Sequence, residues 1–229
     1  MTLANPKATL VSALAARFPA SFHIRQPAPP VTLATGIPGL ELPRGAITEI
    51  CGAASSGRTS LLLAVLATAT SAGEVCALVD TSDAFDPASA AEAGVGLDSL
   101  LWIRCSADPV RAIQAADLLL LGGGFGLVVL DLADVPTRLA RRIPLTSWFR
   151  FRRAIENTPT ALIVLEREPH AKSCASLLLE MSRRAVHWSG SPNARLLRGF
   201  SLHAVPRKPT SASSATFQAS GFWLPASGF

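Results

Sequence analysis

Residues 52–59 (GAASSGRT) carry the clearest sign of chemistry in the chain, because they have the spacing of a phosphate-binding loop. The pattern G-x-x-x-x-G-K-[ST] is met at both glycines and at Thr59, but Arg58 stands where lysine is expected. Glycine lets backbone N–H groups approach a phosphate closely, and the following helix adds the positive end of its dipole. Because the fork of arginine is wider than the ammonium of lysine, we expect weak binding of ATP or ADP with little turnover. The candidate nucleotide-binding residues are Gly52, Ser55, Ser56, Gly57, Arg58, Thr59 and Ser60.

An aspartate at the end of a predicted strand supplies a second part of this candidate site. Residues 127–131 (LVVLD) form an apolar run that ends in Asp131. Parallel strands deliver their C-terminal residues to the ligand edge of a sheet, where Asp131 could hold Mg²⁺ through water, with the Thr59 hydroxyl as a second ligand. Many such aspartates only cap a turn, and the glycine loop upstream favours the metal role here.

Alternating strands and helices are predicted to position these residues. Near-continuous apolar runs predict strands at 46–51, 75–80, 100–104, 127–131 and 161–166. Helical spacing predicts helices at 59–71, 88–95, 109–121 and 136–156, and a further helical run after residues 167–172. Two shorter runs near 185–204, separated by the turn sequence SGSPN, predict an antiparallel hairpin. The fold class is therefore α/β with a mostly parallel central sheet.

The ends of the chain differ in composition from this core. We expect an N-terminal helix (6–18) and linker within residues 1–31, a core domain at 32–204 and a flexible tail at 205–229, rich in Pro, Ser, Ala and Thr. The tail nevertheless keeps large aromatic residues, among them Phe217, Phe222 and Trp223. They either dock on a partner or fold back on the core as a strand or cap, and the sequence leaves both readings open.

Composition and charge narrow the class of protein. The chain has 229 residues, 49% of them hydrophobic, and its net charge of +5 permits nucleic acid or acidic partners without requiring either. No apolar stretch approaches the roughly 18 residues of a membrane helix. The four histidines have no metal-ligand spacing. The four cysteines lack C-x-x-C spacing, which predicts reduced core residues of a cytoplasmic protein: Cys51, Cys76, Cys105 and Cys174.

Three segments resemble one known family, the bacterial RecA recombinases. Residues 42–57 (LPRGAITEICGAASSG) are similar to the start of the ATP site, and 79–87 (VDTSDAFDP) to the segment with the catalytic glutamate. Residues 94–101 (GVGLDSLL) match the sequence just beyond it. The resemblance covers about 32–190 and implies a RecA-like core built around the phosphate loop.

Two departures from that family bear on activity. The family's water-orienting glutamate lies two residues after the strand-ending aspartate, and here that position is Ser82. A hydroxyl cannot replace a carboxylate, and losing such a group commonly costs a factor of about 10² or more. Asp83 is adjacent, but a shift of one residue points its side chain elsewhere. No catalytic residue is therefore assigned, and we expect weak or absent ATP hydrolysis.

The DNA-contacting loops of the family have no room in this sequence. Asp131 leads through residues 133–136 directly into helical sequence, and only 167–172 follow the strand at 161–166. We therefore expect weak or no direct binding of DNA.

An arginine-rich region stands in place of these loops. Residues 138–153 contain interleaved aromatics and no acidic residue. They form either a surface for nucleic acid phosphates or an acidic protein, or a solvated helix face whose aromatics pack on the sheet. A second basic group lies within 183–208. Together with two tail aromatics, the candidate partner-binding residues are Arg138, Arg141, Arg142, Arg150, Arg152, Arg153, Phe222 and Trp223.

A RecA-like core with altered catalytic positions and short loops resembles the ImuA-type accessory proteins of bacterial translesion synthesis. This resemblance implies an adaptor in DNA-damage tolerance and the SOS response, cytoplasmic and associated with the nucleoid when engaged. The implied partners are an ImuB-like relative of the Y-family polymerases, an error-prone C-family polymerase and RecA. Two alternatives stay open: an active ATPase of the RecA or KaiC type that binds DNA, and a cell-division inhibitor similar to SulA.

Overall fold

Ten strands follow one another in the described part of the chain, which comprises residues 31–191, 193–209 and 214–220 of a computed structural model. Four of them are the apolar runs, buried almost entirely on both faces: β3 (Ile47–Cys51), β4 (Cys76–Asp80), β6 (Leu127–Asp131) and β7 (Ala161–Glu166). The others are β1 (Thr32–Ala34), β2 (Glu41–Pro43), β5 (Leu100–Arg104), β8 (Ala175–Ser191), β9 (Ala194–Lys208) and β10 (Ala215–Ser220).

Eight of these strands form one sheet in the order β10-β9-β8-β3-β7-β6-β4-β5, while β1 and β2 form a separate antiparallel pair. The strands from β8 to β5 pair in parallel, and β9 and β10 continue the sheet antiparallel. The register places Cys51 beside Glu166 and Asp80 beside Asp131. The carboxyl ends of the central strands therefore meet at one edge, directly next to the phosphate loop.

Within the described residues, five helices cover the sheet: α1 (Arg58–Ser71), α2 (Pro87–Glu92), α3 (Pro109–Gly122), α4 (Thr137–Ala140) and α5 (Leu145–Ile155). Two of them begin at Asp-Pro sequences, where the aspartates at 86 and 108 accept backbone N–H groups of the first turn. Helix α1 packs on one face of the sheet, and α3 and α5 pack on the other, where Trp148 and Phe151 are fully buried. Among the described residues, no helix is both long and apolar enough to cross a bilayer.

The α/β class, the mostly parallel sheet and the C-terminal antiparallel pairing are confirmed. All four cysteines are buried and free, as expected for core thiols. The helix expected at 6–18 lies outside the described residues, and the division at residue 31 therefore stays a prediction.

Two of the helix predictions are wrong. The single helix expected at 136–156 is interrupted at residues 141–144, and α5 begins only after Pro144, which has no N–H to donate and restricts the residue before it. The helical run expected after residue 172 is only the short 3₁₀ turn Lys172–Cys174. It leads into β8, where Ala175, Leu177 and Leu179 are buried at a period of two, the period of a strand.

The flexible tail expected from residue 205 is also wrong where the structure describes it. Residues 205–208 continue β9, and residues 215–220 form β10 along the outer edge of β9. Ala215 is buried and Phe217 packs against the core next to α1. An edge strand needs little core of its own, because its neighbour satisfies its backbone hydrogen bonds. The folded-back alternative therefore applies to this segment.

Removal of residues 205–229 is expected to destabilise the domain. The truncation deletes β10 and the part of β9 that pairs with residues 178–180 of β8. Thermal denaturation should show a Tm at least about 5 °C lower than that of the full chain, since about 1 kcal/mol shifts Tm by about 2–4 °C at this size. A chain cut after Ser220 keeps every described strand and serves as the control. Identical melting of the full chain and the 204-residue fragment would contradict this assignment.

Candidate nucleotide site

The phosphate loop joins β3 to α1 with the backbone geometry that its glycines predict. Gly57 has a φ of 95° and Ser55 a φ of 60°, both in the left-handed region. At Gly52 a Cβ atom would lie 2.7 Å from the carbonyl oxygen of Met181, so only glycine fits. The Ser56 hydroxyl is buried and has no hydrogen-bond partner within the described residues. The loop therefore keeps an anion-binding shape and one polar group that a phosphate could satisfy.

The Arg58 side chain leaves this loop and is bound to the sheet. Its Nη1 donates a 2.6 Å hydrogen bond to the backbone carbonyl of Glu166, and only 7% of the residue is exposed. Burial lowers the pKa of Arg58, and the nearby negative charge of Asp131 opposes that shift. A guanidinium held in this way cannot follow a terminal phosphate unless the bond to Glu166 is broken. Arg58 therefore links the phosphate loop to the end of β7 through this hydrogen bond.

Asp131 lies at the expected edge of the sheet, but one of its oxygens is already engaged. Oδ1 accepts a 2.8 Å hydrogen bond from the backbone N–H of Ala133, the turn-capping role that the sequence left open. Burial raises the pKa of Asp131 to about 6, and the hydrogen bond from Ala133 opposes this shift. Within the described ranges, no three His, Cys, Asp or Glu side chains gather into a metal site. The Mg²⁺ role of Thr59 and Asp131 stays a prediction.

The loop after β4 brings Ser82, and no carboxylate, to the position of the family's glutamate. Ser82 is half-buried, and Asp83 has a φ of 57° and accepts a 3.2 Å hydrogen bond from Nη2 of Arg104. The preceding Asp80 is held in place, because it accepts the backbone N–H groups of Ala84 and Phe85 and the indole N–H of Trp102. The described geometry therefore offers Ser82 and an ion-paired Asp83 where a water-orienting group would be needed.

Strand β9 limits the space in front of the phosphate loop. The cavity there has a volume of about 220 Å³ and is lined by residues 55–60 together with Arg183, Phe200 and Leu202. Leu202 is buried so close to Gly57 that a Cβ atom on that glycine would lie 2.5 Å from it. Small-molecule sites commonly enclose about 300–1,000 Å³. A bound nucleotide would therefore have to displace side chains of β9 or extend into solvent.

The candidate partner-binding arginines are all exposed, but they do not form one uniform surface. Arg141 bonds to Glu168 at 2.8 Å, and Arg150 bonds to Asp117 of α3 at 2.6 Å. Of the interleaved aromatics, Trp148 and Phe151 are core residues, as the solvated-face alternative expects, and Phe149 is exposed. The remaining candidates are Arg138 on α4, Arg142 between the two helices, and Arg152 and Arg153 on α5. Phe222 and Trp223 lie outside the described residues.

A buried cluster next to Arg58 was missed by sequence reasoning. Glu49 of β3 accepts the backbone N–H groups of His170 and Ala171 at 2.7 and 2.6 Å, and His170 Nδ1 lies 2.6 Å from Glu166 Oε2. Both glutamates are 1% exposed, and burial raises both pKa values, to about 8 for Glu49 and about 7 for Glu166. The hydrogen bond between them raises the pKa of Glu49 further and lowers that of Glu166. The pair holds a proton near neutral pH. The sequence did carry a signal for this cluster, because Glu49 lies inside one apolar strand and Glu166 ends the neighbouring one.

Comparisons with known proteins agree with this geometry. Residues 26–139 match the RecA N-terminal domain family. The Protein RecA of Ectopseudomonas oleovorans is 44% identical over 101 residues, 43% of this chain and 28% of that protein. The Protein RecA of Methylococcus capsulatus is 46% identical over 90 residues, 39% of this chain and 26% of that protein. The match thus spans little more than a quarter of these relatives' length.

A solved structure extends the similarity beyond the matched segment. The crystal structure of the RadB recombinase aligns with a TM-score of 0.59 at 16% identity, covering 82% of this chain and 94% of that one. The fold and the phosphate loop define a RecA-like core. Residues 26–139 thus resemble the N-terminal domain of RecA, and the similarity of fold extends beyond them.

The buried glutamate pair is expected to make stability depend on pH. An unfolded glutamate has a pKa of about 4.3 and both folded values are raised, so the folded state binds more protons above that pH. The free energy of unfolding should therefore fall as pH rises from 5 to 9, by up to about 1.4 kcal/mol per pH unit for each extra proton held.

Glu49→Gln isolates this effect, because its amide keeps the oxygen that accepts from His170 and Ala171 and can donate to Glu166. Urea denaturation should give a shallower fall with pH for this variant. Glu156→Gln at an exposed position is the matched control and should follow the parent chain. The assignment is refuted if Glu49→Gln and the parent show the same slope.

Proposed function

We propose that this chain is a RecA-like adaptor of DNA-damage tolerance that acts through protein partners and does not depend on nucleotide turnover. The observation that carries the proposal is the hydrogen bond from Arg58 to Glu166, which withdraws the loop's cation from the place of a terminal phosphate. Ser82 and the ion pair of Asp83 support the same conclusion. Weak binding of ATP or ADP with Mg²⁺ remains part of the proposal, because the loop keeps its shape.

The connections after β6 and β7 are short, which supports a function other than the pairing of DNA strands. Only residues 132–136 separate β6 from α4, and residues 167–174 separate β7 from β8. Neither connection has the length of a loop that could wrap around DNA. Internal hydrogen bonds also occupy this edge of the sheet. Arg167 donates to the carbonyl of Ala133, and the N–H group of Ala133 donates to Asp131.

An exposed apolar stripe on α3 supports a protein partner. Val110, Leu118 and Leu121 share one helix face with Gln114, at spacings of four, four and three residues, and are 63%, 73% and 64% exposed. Phe149 of the neighbouring α5 is 47% exposed. Apolar side chains grouped in this way mark interaction sites more often than isolated ones. Arg150 borders the stripe and would steer an acidic partner surface.

The partners proposed are an ImuB-like relative of the Y-family polymerases, an error-prone C-family polymerase and RecA, in the cytoplasm and at the nucleoid. Support for this choice is the resemblance to ImuA-type proteins together with the altered site. The similarity of residues 26–139 to the RecA N-terminal domain supports a role in DNA repair. A cell-division inhibitor similar to SulA would share the reduced architecture but would bind none of the polymerases.

An active RecA-type ATPase is the second candidate. The relatives are named Protein RecA and the structural neighbour is the RadB recombinase, and the intact backbone of the phosphate loop favours this function. In that case Arg58 would release Glu166 when nucleotide binds.

Phosphate-release assays distinguish these candidates. With or without single-stranded DNA, we expect turnover at least about 10²-fold below that of a RecA protein assayed in parallel, because the water-orienting carboxylate is missing. Arg58→Lys should strengthen the stabilisation by ADP and Mg²⁺ in thermal shift, whereas Arg58→Met should not. Turnover equal to that of RecA, and lost in Asp131→Ala, would establish the ATPase instead.

The partner surface can be tested by pull-down with an ImuB-like protein. Leu118→Glu combined with Leu121→Glu should weaken binding by at least about tenfold without lowering Tm, because both side chains are mostly exposed and interface anchors dominate affinity. Leu196→Glu, at an exposed apolar position of β9, is the matched control. Unchanged binding by the α3 variant, or equal loss in both variants, would remove α3 from the interface.

A further inference from the structure

A cleft separate from the phosphate loop lies between the α4–α5 connection and the segment after β7. Its volume is about 630 Å³, within the range of ligand sites. One wall is formed by residues 140–145 and the other by residues 168–170 together with Lys172. None of the phosphate-loop residues 52–60 lines it.

The walls of this cleft are cationic. Arg141, Arg142 and Lys172 contribute three positive charges, and Glu168 is the single carboxylate among the lining residues. Glu168 Oε2 already accepts a 2.8 Å hydrogen bond from Arg141 Nη2. Arg142 and Lys172 therefore remain to meet an anion, and a positive excess of two charges stays in the cleft.

The backbone adds a second source of positive potential. Helix α5 has eleven residues and begins at Leu145 in the wall of the cleft. Its first residue follows Pro144, no side chain caps it, and its first turn contains no acidic residue. The N-terminal end of a helix carries unpaired N–H groups and a partial positive charge, and both favour an anion.

His170 contributes a ring nitrogen that has no hydrogen-bond partner among the described residues. Its Nδ1 is held by Glu166 at 2.6 Å, which fixes the ring, while Nε2 is buried and has no hydrogen-bond partner in the described part of the chain. His170 lines the cleft. A buried ring nitrogen without a partner is costly, and an anion that enters the cleft far enough to uncover Nε2 would accept its hydrogen bond when His170 is protonated.

We propose that this cleft binds a phosphate dianion, free or as a phosphate monoester, between Arg142, Lys172, the N-terminus of α5 and Nε2 of His170. The forked guanidinium suits two oxygens of a tetrahedral anion, and the ammonium serves as a point charge. This inference does not depend on the adaptor role, because it concerns a different surface from the phosphate loop and from α3.

When the Nδ1–H group of His170 donates to Glu166, Nε2 of the neutral ring is an acceptor and only the protonated ring donates through it. Binding should therefore strengthen at lower pH. Burial lowers the pKa of His170, and the charges that face it are those of Glu49, Glu166, Glu168 and Arg141. Sulfate is the suitable probe for this effect, because it is tetrahedral and its charge is constant between pH 5.5 and 8. His170→Gln keeps a donor at all pH values and should remove the pH dependence.

The site is tested on the full chain by calorimetric and NMR titration with inorganic phosphate. Arg142→Gln combined with Lys172→Gln should weaken binding by at least about tenfold, as expected for losing two charge-assisted contacts. Arg138→Gln is the matched control, because it removes an exposed charge from α4 outside the cleft and should leave affinity within about twofold. All three positions are exposed, so folding should persist.

Amide shifts should be largest at Leu145, Thr146 and His170. Tighter binding of a nucleoside 5′-monophosphate than of inorganic phosphate assigns the monoester, and equal binding assigns the free ion. Shifts confined to residues 55–60, or equal affinities of the double variant and Arg138→Gln, would overturn the proposal.

Discussion

The hydrogen bond from Arg58 to the carbonyl of Glu166 connects the phosphate loop to the centre of the sheet. A buried guanidinium must be satisfied by acceptors, and Nη1 of Arg58 uses the last carbonyl of β7. The bond fixes the direction of the side chain at the start of α1 and leaves Asp131 beside a cation of the protein itself. A nucleotide therefore competes with an internal contact before it can use this charge.

Glu166 connects the hydrogen bond of Arg58 with the buried carboxyl pair on the opposite face of the sheet. Its carbonyl receives Arg58, and its carboxylate is paired with Glu49 and holds the ring of His170. Two carboxyl groups buried on adjacent strands are stable only when they share a proton and accept backbone N–H groups, as Glu49 does from His170 and Ala171. The short segment after β7 is thereby held against the sheet, and this placement forms one wall of the cationic cleft.

The antiparallel strands beyond β3 determine how much of the loop is accessible. Leu202 of β9 lies against Gly57, and the carbonyl of Met181 of β8 lies against Gly52. Both glycines are thus required by packing against the protein's own backbone and side chains as well as by the shape of a phosphate loop. The glycine pattern is therefore explained without a bound nucleotide, and the chemistry of the site depends on its side chains.

The sequence alone determined the α/β class, the four buried central strands and the position of the loop between β3 and α1, because these follow from hydrophobic periodicity and from glycine spacing. It also identified Arg58 and Ser82 as departures from the related family. Residue patterns are local, however, so they could not distinguish the run after residue 172 from a helix. Nor could they decide whether residues 215–220 dock on a partner or fold back as a strand, because that strand depends on β9 for its hydrogen bonds.

Only the tertiary structure decided where Arg58 points, that Glu49 and Glu166 meet, and that Leu202 covers Gly57. Each of these contacts joins residues more than 100 positions apart. Their energies come from burial and from pairing across the sheet, and neither is encoded in the neighbouring sequence.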